Sequence, residues 1–136
     1  MNRGILIGYQ LLVGLSDTMT GALLMIVPEF TLGMMRLHAP DDALVYLSFI
    51  GAFVLSVGLS CLYGAHLTIY LANPCQLQVV WLLTAIIRAS VAIFVITQII
   101  EHTLEVGWIT VAISDGTCAL IQAIGLRKGW LIDAAR

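Results

Sequence analysis

The chain has little charge: six Lys and Arg and eight Asp and Glu among 136 residues, 10% in all. Soluble domains carry about 25%, so a water-facing globular surface is excluded. The net charge of −2 contains no basic run, which argues against nucleic acid or an anionic lipid surface as partner. Cysteine is sparse as well. Cys61, Cys75 and Cys118 lie far apart with no CxxC, so neither a disulfide framework nor a zinc or thioredoxin-like site is indicated, and small apolar packing is the plainer use. Phosphate loops, metal-ligand clusters and nucleophile motifs are missing too. No catalytic residue and no metal site is assigned.

What remains is apolar. Hydrophobic residues make up 60% of the chain, and the mean hydropathy is +1.02. Nearly all of it falls into four runs of roughly the 20 residues that cross a hydrocarbon core. The first run, 5–27, follows Arg3 as a signal peptide would. It is too long for one, contains Asp17 and has no A-x-A exit, so it reads as a retained span. Pro28 and Glu29 end it. The second span, 43–70, starts after Pro40-Asp41-Asp42, whose carboxylates suit the positive end of a helix dipole. Asn73 as N-cap and Pro74 at the first helical position open the third, 74–101. The fourth, 108–126, is bounded by Glu105 and by Arg127-Lys128. The expected fold is an all-α membrane protein, one domain built as an up-down four-helix bundle. Arg3, Arg127, Lys128 and Arg136 cluster at the chain ends, which predicts cytoplasmic N and C termini in a multi-pass protein of the inner membrane. Tyr9, Tyr46, Trp81, Trp108 and Trp130 fall near the expected interfaces as an aromatic belt. The segment 28–42 is either a short interfacial helix carrying Phe30, Met34, Met35 and Leu37 or an irregular loop.

Membrane helices associate through small residues and polar contacts, because lipid is as apolar as leucine. Ala52, Ser56, Ser60 and Gly64 form a ladder of four-residue steps in span two, and Gly14 and Gly21 lie on one face of span one with Gln10 and Asp17. Thr84, Gln98 and Gln122 join Gln10 as polar candidates for lining an interior cavity. Asp17, Arg88 and Asp115 are the charges well inside the spans. At 1.5 Å per residue they lie roughly 18, 14 and 17 Å from the same membrane face. Each central charge costs about 2.5–3.5 kcal/mol on insertion scales, so a carboxylate–guanidinium–carboxylate cluster joining spans one, three and four is expected. Arginine suits that place because its fork serves two carboxylates and keeps its proton. The cluster either fixes helix register or, with one negative charge in surplus, binds a proton or cation. His38, His66 and His102 are too scattered for a metal site. His102 with Glu101 and Glu105 reads as a solvated turn, and the methionines read as packing rather than a copper route.

The stretches GALLMIVPEFTLGMMRL, FIGAFVLSVGLSCLYG, IIRASVAIF with Arg88, and WITVAISDGTCALIQAIGLRKGW with Asp115 resemble the DoxX-like family of small four-span bacterial membrane proteins. The resemblance implies a four-helix membrane fold and association with quinone-linked oxidoreductases. Nothing in the chain ligates haem or flavin, so no cofactor of its own is expected, and a quinone enters through a partner or as a ligand. Three functions fit: an accessory or stabilising subunit packed against other membrane subunits; a small proton- or cation-coupled transporter, as a homo-oligomer; and a membrane enzyme acting on a lipid or quinone near Gln10, Gln98 or Gln122.

Overall fold

The computed structural model describes residues 2–70 and 74–133. Among them there is no strand, and four helices are long and apolar enough to cross a membrane. They are α1 (Arg3–Ile26), α3 (Leu44–Ile69), α4 (Pro74–Ile100) and α5 (Ile109–Arg127), with short helices α2 (Pro28–Met34) and α6 (Trp130–Asp133) between and after them. Single 3-10 turns at Asp41–Ala43 and Val106–Trp108 lead into α3 and α5. The Asn73 cap expected for α4 lies outside the described residues.

Local chemistry explains the ends. The Asn2 side chain accepts the Gly4 N–H at 3.0 Å and opens α1. Pro28 takes the first position of α2, where a missing N–H costs nothing. The segment 28–42 is therefore helical over its first half. Arg36 and His102, at φ 57° and 58°, turn the chain into the left-handed conformation after α2 and α4. Leu37 N–H then bonds Leu32 C=O at 2.9 Å, and Thr103 N–H bonds Gln98 C=O at 3.0 Å, closing both helices with the six-to-one bond of a Schellman cap. Arg3 ties the start of α1 to the end of α3: Nε donates to the Thr68 carbonyl at 3.3 Å and Nη2 to that of Ile69 at 2.6 Å. A cation there also meets the negative end of the α3 dipole.

The helices form two tight antiparallel pairs, α1 with α3 and α4 with α5. No α1 Cα comes within 8 Å of one in α4 or α5, and α3 reaches α4 but not α5. Glycine sets the first pairing. A Cβ at Gly14 would sit 2.8 Å from Leu62 Cδ2, one at Gly51 2.9 Å from the Met25 nitrogen, and one at Gly58 2.5 Å from Thr18 Oγ1. One at Gly21 would run into the Leu55 backbone. The α3 contact line is thus Gly51, Leu55, Gly58 and Leu62, in steps of four, three and four. The ladder through Ala52, Ser56, Ser60 and Gly64 is not this line. At 100° per residue its twelve-residue span rotates about 120° around the helix, so Gly64 packs against α1 whereas Ser56 is exposed and Ala52 and Ser60 are half-buried. The Ser56 and Ser60 hydroxyls turn back to the carbonyls four residues earlier, each at 2.8 Å.

Apolar clusters close both ends. Leu6, Leu67, Leu77, Trp81 and Leu131 fill the end where α1 starts. Leu32, Leu37 and Leu47 fill the other, joined by Trp108. Tyr9 and Trp81 depart from the aromatic belt: Trp81 is buried, and the two rings pack at 5.6 Å between the helix pairs. A Cβ at Gly125 would meet Trp81 at 2.6 Å, so that glycine makes room for the indole.

Gly58→Ala is expected to cost about 1–3 kcal/mol, because the added methyl forces α1 and α3 apart. Ser56→Ala, on the exposed side, is expected to stay within about 0.5 kcal/mol. Denaturant unfolding in a fixed detergent measures both, and equal losses would contradict this contact line.

Candidate functional site

Near the middle of the spans the structure brings Asp17 of α1, Arg88 of α4 and Asp115 of α5 together. Arg88 Nη1 donates to Asp115 Oδ1 at 2.6 Å, and Nη2 donates to Asp17 Oδ2. No other ion pair forms among the described residues. The placement follows from helix geometry. Gly14 and Gly21 hold one face of α1 against α3, and Asp17, between them, projects around the helix toward α4. On α4, Thr84, Arg88, Ala92 and Val95 are buried along one stripe. Opposite them Gly116 of α5 faces Ala92, where a Cβ would sit in ordinary contact at 3.7 Å.

Burial within the cluster is uneven. The Arg88 side chain is 4% exposed, the Asp17 and Asp115 side chains 21% and 20%. Each aspartate uses one oxygen toward arginine, and the other receives no hydrogen bond among the described residues. The guanidinium is held inside, and a free carboxylate edge is left on each flank. Arg88 Nε and Thr18 Oγ1 are buried without a hydrogen-bond partner. The Cys61 thiol lies beside the guanidinium, and Cys118 is close enough to both to interact electrostatically. Sequence reading placed neither cysteine near the charges. The signal available was depth alone: Cys118 is three residues from Asp115 on one helical face.

Of the four polar candidates, three lie in the interior. Gln10 Nε2 donates to Thr68 Oγ1 at 2.9 Å, and Thr68 donates on to the Gly64 carbonyl at 2.9 Å. Gln122 Nε2 donates to Thr84 Oγ1 at 2.8 Å, and Thr84 donates to the Val80 carbonyl at 2.8 Å. One such relay sits in each helix pair. In both, the glutamine Oε1 is buried and has no partner. Gln98 does not join them. It caps the opposite end of α4, where its Oε1 accepts from Thr103 at 2.6 Å and its Nε2 donates to Glu101 at 3.3 Å. Ten residues separate Gln98 from Arg88, about 15 Å along the helix, so the three glutamines share no cavity. Thr68, unmarked in the sequence, supplies the acceptor for Gln10.

On the outer face of α4 and α5 an open apolar groove of about 460 Å³ runs past Ala85, Ala89, Ala92, Gly116, Ala119 and Ala123. No group of three or more His, Cys, Asp or Glu side chains among the described residues is arranged to hold a metal ion. The chemistry within reach of the cluster is binding of one positive charge: two carboxylates around one guanidinium leave a formal charge of −1.

Arg88→Met is expected to destabilise the bundle by about 3–5 kcal/mol, since it strands two carboxylates in low dielectric. The triple change Asp17→Asn, Arg88→Met, Asp115→Asn removes the charges together and is expected to recover at least half of that loss in the same unfolding assay. Equal losses in the single and triple variants would mean that shape rather than charge holds the site. Comparison of the chain with family models, with curated proteins and with solved structures finds no match.

Proposed function

We propose that this chain is an accessory or stabilising subunit of a larger complex in the cytoplasmic membrane, with both chain ends on the cytoplasmic side. The observation that carries this reading is the pair of carboxylates, each about one-fifth exposed at mid-span. A charge edge facing hydrocarbon is costly, so the native assembly covers it. The alanine-lined groove on α4 and α5 supports the same reading, because small residues let another helix approach closely. The DoxX-like resemblance of the sequence supports a complex of the quinone-linked respiratory kind, with the redox chemistry on the partner.

A second reading rests on a different observation. The formal charge of −1 and the two carboxylate oxygens without donors suit uptake of a proton or small cation, as a coupled transporter requires. Lipid or quinone enzymology has weaker support, since Gln98 lies far from Gln10 and Gln122.

Purification from the native membrane in mild detergent, followed by intact-mass measurement, separates the first two readings. The subunit reading expects larger proteins in fixed stoichiometry. It also expects their retention to fall at least about tenfold, the equivalent of one lost polar contact of roughly 1.4 kcal/mol, in Asp17→Asn or Asp115→Asn. A homo-oligomer alone, unaffected by either change, would discard that reading and leave the coupled transporter.

A further inference from the structure

Asp17 and Asp115 belong to two matching strips. On α1, Val13, Asp17 and Thr20 are half-buried, and on α5, Val111, Asp115 and Cys118 are half-buried. In both helices the spacing is four and then three, which is one face. The two aspartates accept from the terminal nitrogens of one guanidinium, so the strips meet Arg88 at its tip and flank a seam between α1 and α5. No α1 Cα lies within 8 Å of one in α5, and α3 does not approach α5 either. Backbone packing therefore leaves the seam unclosed. Tyr9 crosses it on the α1-start side, where its hydroxyl donates to the Cys118 carbonyl at 3.4 Å. Beside the aspartates it is open: Ser16 and Ser114, their chain neighbours, are exposed.

The seam carries a charge that the chain itself does not balance. Two carboxylates on one guanidinium leave −1, and the aspartate oxygens not bonded to Arg88 receive no hydrogen bond among the described residues. Carboxylates inside a membrane pair with an opposite charge, because an unbalanced one is costly in hydrocarbon. A second copy of this chain has no such charge to give. Of its six Lys and Arg, Arg88 is already bonded and 4% exposed. Arg3, Arg36, Arg127, Lys128 and Arg136 fall at or beyond the ends of the long helices. His66 is in the last turn of α3, and His38 and His102 are outside the long helices. The balancing cation has to come from a different chain.

We propose that the seam between α1 and α5 is the docking site for a transmembrane helix of another subunit that carries one lysine or arginine at mid-span, and that this residue seats against Asp17 and Asp115. The inference rests on the subunit reading above and adds to it the chemistry of the partner and the face it uses. Charge fixes the number. A single cation brings the site to neutrality, and two would leave it as unbalanced as none. Depth fixes the position: the aspartates lie roughly 17 to 18 Å from the α1-start face, so the partner's cation lies about 11 or 12 residues along its own span from that face. Ser16 and Ser114 are small, which lets the partner's backbone come near the aspartates. The bonds from Arg88 stay in place, since the cation takes the oxygens that Arg88 leaves free.

The test uses the complex purified from the native membrane, with a photoreactive amino acid in place of Ser16 or of Ser114. A crosslink from either position to a span of a larger subunit is expected, with a lysine or arginine within one turn of that depth. Changing this basic residue to methionine is expected to lower retention of the subunit at least about tenfold. Asp115→Asn in the same complex, which leaves Asp17 to balance Arg88, is expected to recover most of that loss. No recovery would mean that shape alone holds the partner, and would overturn the inference. A crosslinked span without a basic residue, a crosslink to a second copy, or larger subunits that copurify with no crosslink from either position would also overturn it and leave the subunit reading standing. The absence of any larger subunit would overturn both. The crosslinked span is identified with Asp17, Arg88 and Asp115 all intact, so it decides the matter even where Asp115→Asn fails to fold.

Discussion

The Arg88 guanidinium is the charged joint between the two helix pairs. α1 and α3 pack through glycines, and α4 and α5 pack through small residues, but α1 keeps its backbone more than 8 Å from both α4 and α5. Long side chains cross that gap. Tyr9 against Trp81 is one such bridge. Arg88, gripping Asp17 on one side and Asp115 on the other, is the charged one. Its worth comes from the solvent: in hydrocarbon the alternative to the joint is three unpaired charges, so the pairs cannot separate laterally without exposing them. Glycine packing gives two tight pairs, the contact of α3 with α4 and the Leu6, Leu67, Leu77 and Trp81 cluster bring them together, and the arginine adds the charged link between them.

The distance between the pairs explains why polar groups gather there. Where a Cβ at Gly58 would meet Thr18 Oγ1 at 2.5 Å there is no space for a long side chain. Where backbones stand farther apart, glutamine, tyrosine and arginine fit, and each must find a partner because lipid provides none. Two glutamines find theirs within a single pair, Gln10 on Thr68 and Gln122 on Thr84. They fix the register of each hairpin and leave the joining of the hairpins to the charges.

Much of this could be read in the chain before any coordinates. Run length and boundary residues give the four spans: Pro28, Pro74 and Arg127 each mark an end to within a residue or two. Depth counting puts Asp17, Arg88 and Asp115 on one level, because a fixed rise per residue converts sequence position into height. Azimuth was harder to read. A four-residue ladder looks continuous in sequence, yet it drifts around the helix, so Ser56 is exposed while Gly51 and Gly58, off the ladder, make the contact. Gln98 failed for a different reason. It is polar and within the span by count, but one turn from the helix end its nearest partners are Glu101 and Thr103 in the following turn. Trp81 failed through a neighbour: its place inside depends on Gly125, forty-four positions away, which no local pattern reveals.

The cluster also separates two roles that a buried ion pair usually merges. A closed, symmetric triad would spend all its oxygens on arginine and serve structure alone. Here arginine is deeply buried and each carboxylate keeps one oxygen back, at the level where the polar half of the interior gives way to the apolar half. The structural role needs only the oxygens that face Arg88. The two that remain accept no hydrogen bond from the described residues. With two carboxylates on one guanidinium, either one alone would balance the charge of Arg88.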